Sequence, residues 1–211
     1  MGGVQIDFGG TLNAAKRGDE DAFALIWKEY QPGLLRYLRV KSGAVADDLA
    51  ADTWLRVARA LPTFEGDEHG FRAWLFTAAR NRLTDWYRRP ESRLASIDIA
   101  ALMALPARNN VELEADENAA TARSLDLIAK LPHDQAEAVM LRTISGLSVS
   151  ATAEVMGRSV GSVRVLCHRG LRRLEEMLEE MAVATASSPN LLVALPPVVA
   201  PSKLDAEMEH A

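Results

Sequence analysis

Basic side chains are concentrated near the end of this 211-residue chain, between Gly157 and Leu174. No acidic residue lies in that stretch, which carries Arg158, Arg164, His168, Arg169, Arg172 and Arg173. A short helix, a tight glycine turn and a basic second helix are suited to insertion in the major groove of DNA. The alternative is a helical hairpin whose basic face is simply solvated.

The spacing around these residues indicates a helix-turn-helix. Ser148 is suited to cap a short helix, Gly157 lies where a left-handed turn residue is needed, and Ser159 is suited to cap a second helix. In that helix apolar residues recur at three- and four-residue spacing, at Val160, Val163, Cys167, Leu171, Leu174 and Leu178. This pattern predicts a buried stripe, on which Cys167 is a structural thiol rather than a redox switch.

A second basic segment, residues 71–89, interleaves aromatic side chains with arginines. Aromatic rings can stack on unpaired bases while guanidinium groups bind phosphates, which is typical of single-stranded nucleic-acid binding. Trp74 and Phe76 are nevertheless better explained as core residues. Trp86 and Tyr87, near the basic end, fit either interpretation.

Composition and motif content exclude several classes of function. The net charge is −5, so a generic polyanion-binding protein is not expected. The four histidines are scattered, the single cysteine has no companion, and no phosphate-binding glycine loop or nucleophile–base set is found. We therefore expect no metal, no cofactor and no enzymatic activity. No signal segment or membrane-spanning run is evident, which predicts a cytoplasmic protein without membrane insertion.

Helical periodicity and regularly spaced stop signals predict an all-α protein. It is expected to have two helical domains, joined by a flexible linker and followed by a C-terminal extension. The predicted divisions are a first domain at 11–90, a linker at 91–113, a second domain at 114–181 and a Pro-rich apolar tail at 182–211. The tail is interpreted either as disordered or as an apolar peptide that docks on the protein or on a partner.

Local signals divide each domain into helices. In the first domain, Pro32 is expected to kink or split the helix at 20–41, and residues 64–70 are expected to form a loop. In the second domain, Asp134 is expected to cap the helix that precedes the helix-turn-helix.

Three segments in this order resemble the extracytoplasmic-function (group 4, sigma-70 family) sigma factors of bacterial RNA polymerase. DDLAADTWLRVARALPTF (47–64) is similar to the helix that binds the polymerase clamp. FRAWLFTAARNRLTDWYRR (71–89) resembles the helix that melts and reads the −10 element, and residues 131–174 resemble the domain that reads the −35 element. The resemblance implies a protein that binds core polymerase and directs promoter-specific initiation.

The resemblance also implies partners and residue roles. The partners are promoter DNA and core RNA polymerase, which is bound through its beta-prime clamp and beta flap. Because members of the family commonly have one, an anti-sigma factor is a further expected partner. Core polymerase binding falls on Asp48, Asp52 and Arg56. Binding of −10 DNA falls on Glu65, Gly66, Asp67, Glu68, His69, Gly70, Arg80, Asn81, Asp85, Trp86, Arg88 and Arg89. Binding of −35 DNA falls on Arg158, Ser159, Ser162, Val163, Arg164, His168, Arg169 and Arg172.

The chain departs from the family pattern in the recognition helix. Val165 and Leu166 stand where serine and arginine are common, and Gly170 replaces a usual alanine. Each lost bidentate contact removes about 1–3 kcal/mol of discrimination between bases, so weak −35 readout is expected. Two alternatives stay open: a stand-alone dimeric helix-turn-helix regulator, and a helical interaction protein that sequesters a partner.

Overall fold

The computed structural model describes residues 7–88 and 115–186, and all regular structure in these two ranges is helical. The predicted all-α fold is confirmed in this part of the chain. The predicted linker, most of the apolar tail and Arg89 lie outside the described residues.

Within residues 7–88, the first lobe contains four α-helices. They are α1 (Phe8–Lys16), α2 (Glu20–Ser42), α3 (Ala46–Ala60) and α4 (Glu68–Tyr87). Aspartates at 7, 19 and 67 cap α1, α2 and α4 by accepting backbone N–H hydrogen bonds. A cluster of packed aromatic rings holds the lobe together. The rings come from α1, α2, α4 and the segment before α4, and they are Phe8, Tyr30, Phe64, Phe71 and Trp74.

Two predictions for this lobe were wrong in part. Pro32 does not split α2, because buried side chains on either side of it, Tyr30 and Leu34, hold one continuous helix against the core. The predicted 64–70 loop is shorter, because the Asp67 carboxylate accepts from the Gly70 amide at 2.8 Å and starts α4 at Glu68.

The second lobe begins with α5 (Ala115–Ala129) and α6 (His133–Val139), which runs on into a π-helical turn at Met140–Ile144. Asp134 does not cap α6. Pro132 occupies the cap position without a side-chain hydrogen bond, and Asp134 lies in the first turn, where its carboxylate bonds to Arg158.

The helix-turn-helix itself is confirmed, as α7 (Val149–Met156) and α8 (Val160–Ala186). The Ser148 hydroxyl accepts from the Ala151 amide at 3.1 Å, and the Ser159 hydroxyl accepts from the Ser162 amide at 3.1 Å. Gly157 is left-handed, with φ 63° and ψ 39°.

The predicted apolar stripe of α8 is only partly buried. Val163 is fully buried, whereas Val160, Leu171 and Leu178 are exposed by 40%, 37% and 38%. The inward side is rotated because α6 packs closely against α8 at Gly170. A Cβ atom built on Gly170 would lie 2.8 Å from Cγ2 of Val139.

We predict that Gly170→Ala lowers the free energy of unfolding by about 1 kcal/mol or more, because the added methyl group overpacks Val139. Gly161→Ala, on the same helix, is the matched control. Nothing lies within 4 Å of a Cβ atom there, so alanine should raise the stability by up to about 1 kcal/mol. Urea denaturation followed by circular dichroism measures both changes. A Gly170→Ala protein as stable as Gly161→Ala would contradict this packing.

Candidate nucleic-acid interface

The exposed face of α8 carries most of the residues predicted to contact duplex DNA. Ser162, Arg164, His168, Arg169 and Arg172 are all exposed, so a basic face is presented to solvent beside the capped helix start. Three members of the predicted set differ. Val163 is fully buried against the lobe and presents no side chain to DNA. The Ser159 hydroxyl is used in the cap, and Arg158 bonds to Asp134 at 2.5 Å.

The replaced arginine position at Leu166 does not lie on this face. Leu166 is half-buried and packs against the core, whereas Val165 is 47% exposed. The expected loss of groove contacts therefore concerns Val165 alone. Next to Leu166, Cys167 is half-buried and burial raises the pKa of its thiol, as expected for a structural cysteine.

The predicted single-strand surface on α4 is divided between exposed and engaged residues. Asn81 and Arg88 are exposed. Asp85 and Trp86 are half-buried and line a cleft of about 430 Å³ between α3 and α4. Arg82, in the same cleft, bonds to Asp85 and lies 3.4 Å from Asp52, so both acids also have a structural role.

Aromatic residues of α4 mostly serve the lobe itself. Phe76 is buried, and Trp74 stacks on Phe64 with ring centroids 4.9 Å apart, as predicted. Tyr87 is 39% exposed, but its hydroxyl donates to the Lys41 carbonyl and ties the end of α4 to the end of α2.

The segment 65–70, which is predicted to bind −10 DNA, includes both loop and helix. Glu65, Gly66 and His69 are exposed around the Asp67 cap. Glu68 is held by Arg72 at 2.7 Å and by the Tyr30 hydroxyl at 3.1 Å. The Lys16 ammonium donates to the Phe64 carbonyl at 2.6 Å and anchors the start of the loop.

On α3, the residues predicted to bind core polymerase share one exposed face. Asp48, Asp52 and Arg56 are all exposed there. The same face carries Leu55, which is 55% exposed and was missed by the sequence analysis. Its position offered a signal, because Leu55 falls outside the buried register of Leu49, Thr53 and Val57.

Arg80, predicted to bind −10 DNA, contacts the second lobe in this structure. Its Nε donates to Glu137 Oε1 at 2.8 Å. The Tyr37 hydroxyl donates to the same oxygen at 3.1 Å, and Lys41 Nζ lies 3.5 Å from Oε2. Glu137 is on α6 and its three partners are on α2 and α4, so this set, the Glu137 cluster, joins the two lobes. The cluster was not predicted from the sequence.

Three members of the Glu137 cluster are almost fully buried, whereas the Arg80 side chain is 33% exposed. Glu137 is 2% exposed, Lys41 8% and Tyr37 0%. Burial lowers the pKa of the Lys41 ammonium, although the Glu137 carboxylate opposes that shift, and burial raises the pKa of Tyr37 well above its usual range. The contact between the two lobes extends beyond the Glu137 cluster. Helix α4 packs on α7, and α2 packs on both α5 and the π-helical turn.

Ligand atoms of His133, Asp134 and Glu137 lie within 4.8 Å of one another, a grouping that the scattered histidines did not predict. Both carboxylates already bond to cationic side chains, Asp134 to Arg158 and Glu137 to Arg80 and Lys41. We therefore assign the two carboxylates to ion pairing.

Comparison with known proteins connects these surfaces to a family. Residues 26–93 match the family described as Sigma-70 region 2, and residues 123–174 match Sigma-70, region 4. The ECF RNA polymerase sigma factor BldN of Streptomyces coelicolor is 35% identical over 173 residues, covering 81% of this chain and 66% of that protein. SigD of Mycobacterium tuberculosis, also an ECF sigma factor, is 31% identical over 187 residues, covering 83% of this chain and 85% of that protein.

Two solved structures share the fold. CnrH, in complex with the cytosolic domain of CnrY, is 24% identical with a TM-score of 0.55, covering 81% of this chain and 96% of that one. The sigma factor RpoE of Bartonella quintana, in complex with the anti-sigma factor NepR, is 23% identical with a TM-score of 0.52, covering 74% of this chain and 96% of that one.

In the described ranges, no helix is both long and apolar enough to cross a membrane.

We predict that Arg164→Ala weakens binding to a DNA duplex selected for its affinity to this protein. The expected loss is about tenfold, because a base-edge contact contributes about 1–3 kcal/mol. Arg172→Ala is the matched control, since Arg172 already pairs with Glu176 at 3.3 Å. It should cause a smaller loss that is equal on all sequences. Fluorescence anisotropy at one salt concentration, on selected and scrambled duplexes, measures both. If Arg164→Ala weakened binding to both duplexes equally, Arg164 would contact only phosphates.

Proposed function

This chain belongs to the extracytoplasmic-function family of RNA polymerase sigma factors, and from that premise we propose how its surfaces divide the work of promoter recognition. It directs promoter-specific transcription initiation. In our proposal, α3 binds core polymerase, α4 and its preceding loop bind the −10 element, and α8 reads the −35 element. The chain is proposed to act as a binding protein rather than an enzyme, in the cytoplasm where the polymerase works.

The observation that carries the proposal is the exposed basic face of the capped helix α8. Arg164, His168 and Arg169 project from a helix whose start is fixed by the Ser159 cap and whose other side packs on α6. A rigid helix of this kind can enter a major groove with its side chains already positioned.

The −10 surface requires side chains that accept a base once it has left the duplex. His69 is exposed at the start of α4 and Asn81 in its second half, and their imidazole and amide groups can bond to base edges. Arg88 is exposed at the end of the helix, where a guanidinium group can bind a phosphate. These contacts would offset the few kcal/mol that unpairing a base costs.

The α3 surface combines charge with an apolar centre. Asp48, Asp52 and Arg56 supply charges of both signs around Leu55. Charged rims favour correct orientation and fast association, whereas a buried apolar side chain supplies affinity. CnrH and the Bartonella RpoE are each bound to another protein in their structures, and a regulatory partner of the anti-sigma class is part of our proposal for this chain.

Run-off transcription on a promoter library, using purified core polymerase with and without the protein, tests the proposal. New start sites that depend on the protein, with shared upstream elements near −35 and −10, are the expected result. Binding of the protein to a palindromic duplex as a dimer, with no transcripts in the presence of core, would instead identify a stand-alone regulator.

We predict that Leu55→Ala weakens binding to core polymerase by about tenfold, because it removes the apolar centre of the α3 surface. The fold should be retained, since the Leu55 side chain is largely exposed. Leu25→Ala, which truncates a 47% exposed leucine on α2, is the matched control and should leave the affinity unchanged. Anisotropy of the labelled protein titrated with core measures both. Equal affinities for the two variants would exclude Leu55 from the interface.

A further inference from the structure

The Glu137 cluster joins the lobes through two buried charges, Glu137 and Lys41, and a third, Arg80, whose side chain is 33% exposed. Glu137 accepts from Arg80 at 2.8 Å and from Tyr37 at 3.1 Å, with Lys41 at 3.5 Å. Lys41 also donates to the His133 carbonyl at 3.4 Å, so one ammonium group bonds twice across the contact. Every acceptor belongs to the second lobe and every donor to the first.

Such a cluster favours one arrangement of the lobes. Hydrogen bonds to charged groups are stronger than neutral ones, and a buried charge that loses one partner is strongly disfavoured. The lobes can therefore slide little without breaking the cluster. They can separate fully, because water then solvates all four side chains. The geometry favours two states, closed and open, over intermediate positions.

The closed state cannot bind both promoter elements together. Elements at −35 and −10 are about 25 base pairs apart, which is about 85 Å along a duplex with a rise of 3.4 Å per pair. A folded body of about 150 residues has a radius of gyration of about 15 Å, and so spans about 40 Å. The α4 and α8 surfaces therefore have to move apart before both are used.

We propose that the Glu137 cluster is a built-in latch that holds this sigma factor in a closed, promoter-incompetent state until core polymerase separates the lobes. The inference rests on the proposed function for its biological meaning. The latch also withholds Arg80 from DNA, because the guanidinium group that would bind a −10 phosphate is bonded to Glu137. In the closed state α8 still exposes its basic face, so −35 contacts can form before Arg80 is released.

The distance between the lobes in the free, full-length protein tests the latch directly. Spin labels at Lys28→Cys on α2 and Glu179→Cys on α8, in a Cys167→Ser background, report that distance by pulsed electron paramagnetic resonance. Both positions are exposed and lie outside the proposed binding surfaces. Glu137→Gln keeps the shape and removes the charge, and it should shift the closed–open equilibrium towards the longer distance by about tenfold or more.

Two further variants make the result decisive. Glu154→Gln, the same substitution at an exposed position on α7, should leave the distance distribution unchanged. Tyr37→Phe removes one hydroxyl donor while retaining the ring that packs on Phe76, and it should open the protein less than Glu137→Gln does. If Glu137→Gln does not fold, Tyr37→Phe carries the test. A closed distribution in every folded variant would overturn the latch.

Binding to core polymerase gives a second readout. If only the open state binds core, the apparent dissociation constant falls as the open fraction rises. Glu137→Gln should then bind core more tightly than the wild-type protein, by up to the same factor. The distance measurement needs no polymerase, so its outcome is independent of whether the proposed function holds.

Discussion

The arrangement of this molecule depends on one buried carboxylate between two lobes. Glu137 is 2% exposed and is bonded to Arg80, Lys41 and Tyr37, all from the opposite lobe. Because a buried charge tolerates no missing partner, the cluster specifies how α6 sits against α2 and α4. The packing of α4 on α7 follows from that register. The surfaces proposed to read the two promoter elements are consequently held within one compact body.

The helix-turn-helix shows how far local sequence signals reach. Caps at Ser148 and Ser159 and the left-handed Gly157 were all predicted, because each is decided by a hydrogen bond or a backbone angle within four residues. The aromatic core of the first lobe was predictable for a similar reason, since large apolar side chains recur at helical spacing. The three segments that resemble sigma factors were also readable, and the family comparisons confirm them.

Features that depend on the other lobe or on a neighbouring helix were not predictable in this way. In the sequence, Glu137 looks like an ordinary acid flanked by two alanines, and its burial depends on partners from the other lobe. Leu166 was interpreted as a lost groove contact, whereas packing turns it inward. The face of α8 that is buried is decided by its contact with α6 at Gly170, which no periodicity within α8 reveals. Pro32 is tolerated because tertiary packing outweighs one missing hydrogen bond.

In our proposal, separation of the lobes is the central event of promoter recognition. The most direct measurement is the Lys28–Glu179 distance in the otherwise wild-type labelled protein, first free and then in a transcribing complex with core polymerase and promoter DNA. A short distance in the free protein that lengthens by tens of ångströms in the complex is the predicted result. A complex that initiates transcription with the short distance retained would contradict the account, because both elements would then be read from the closed body.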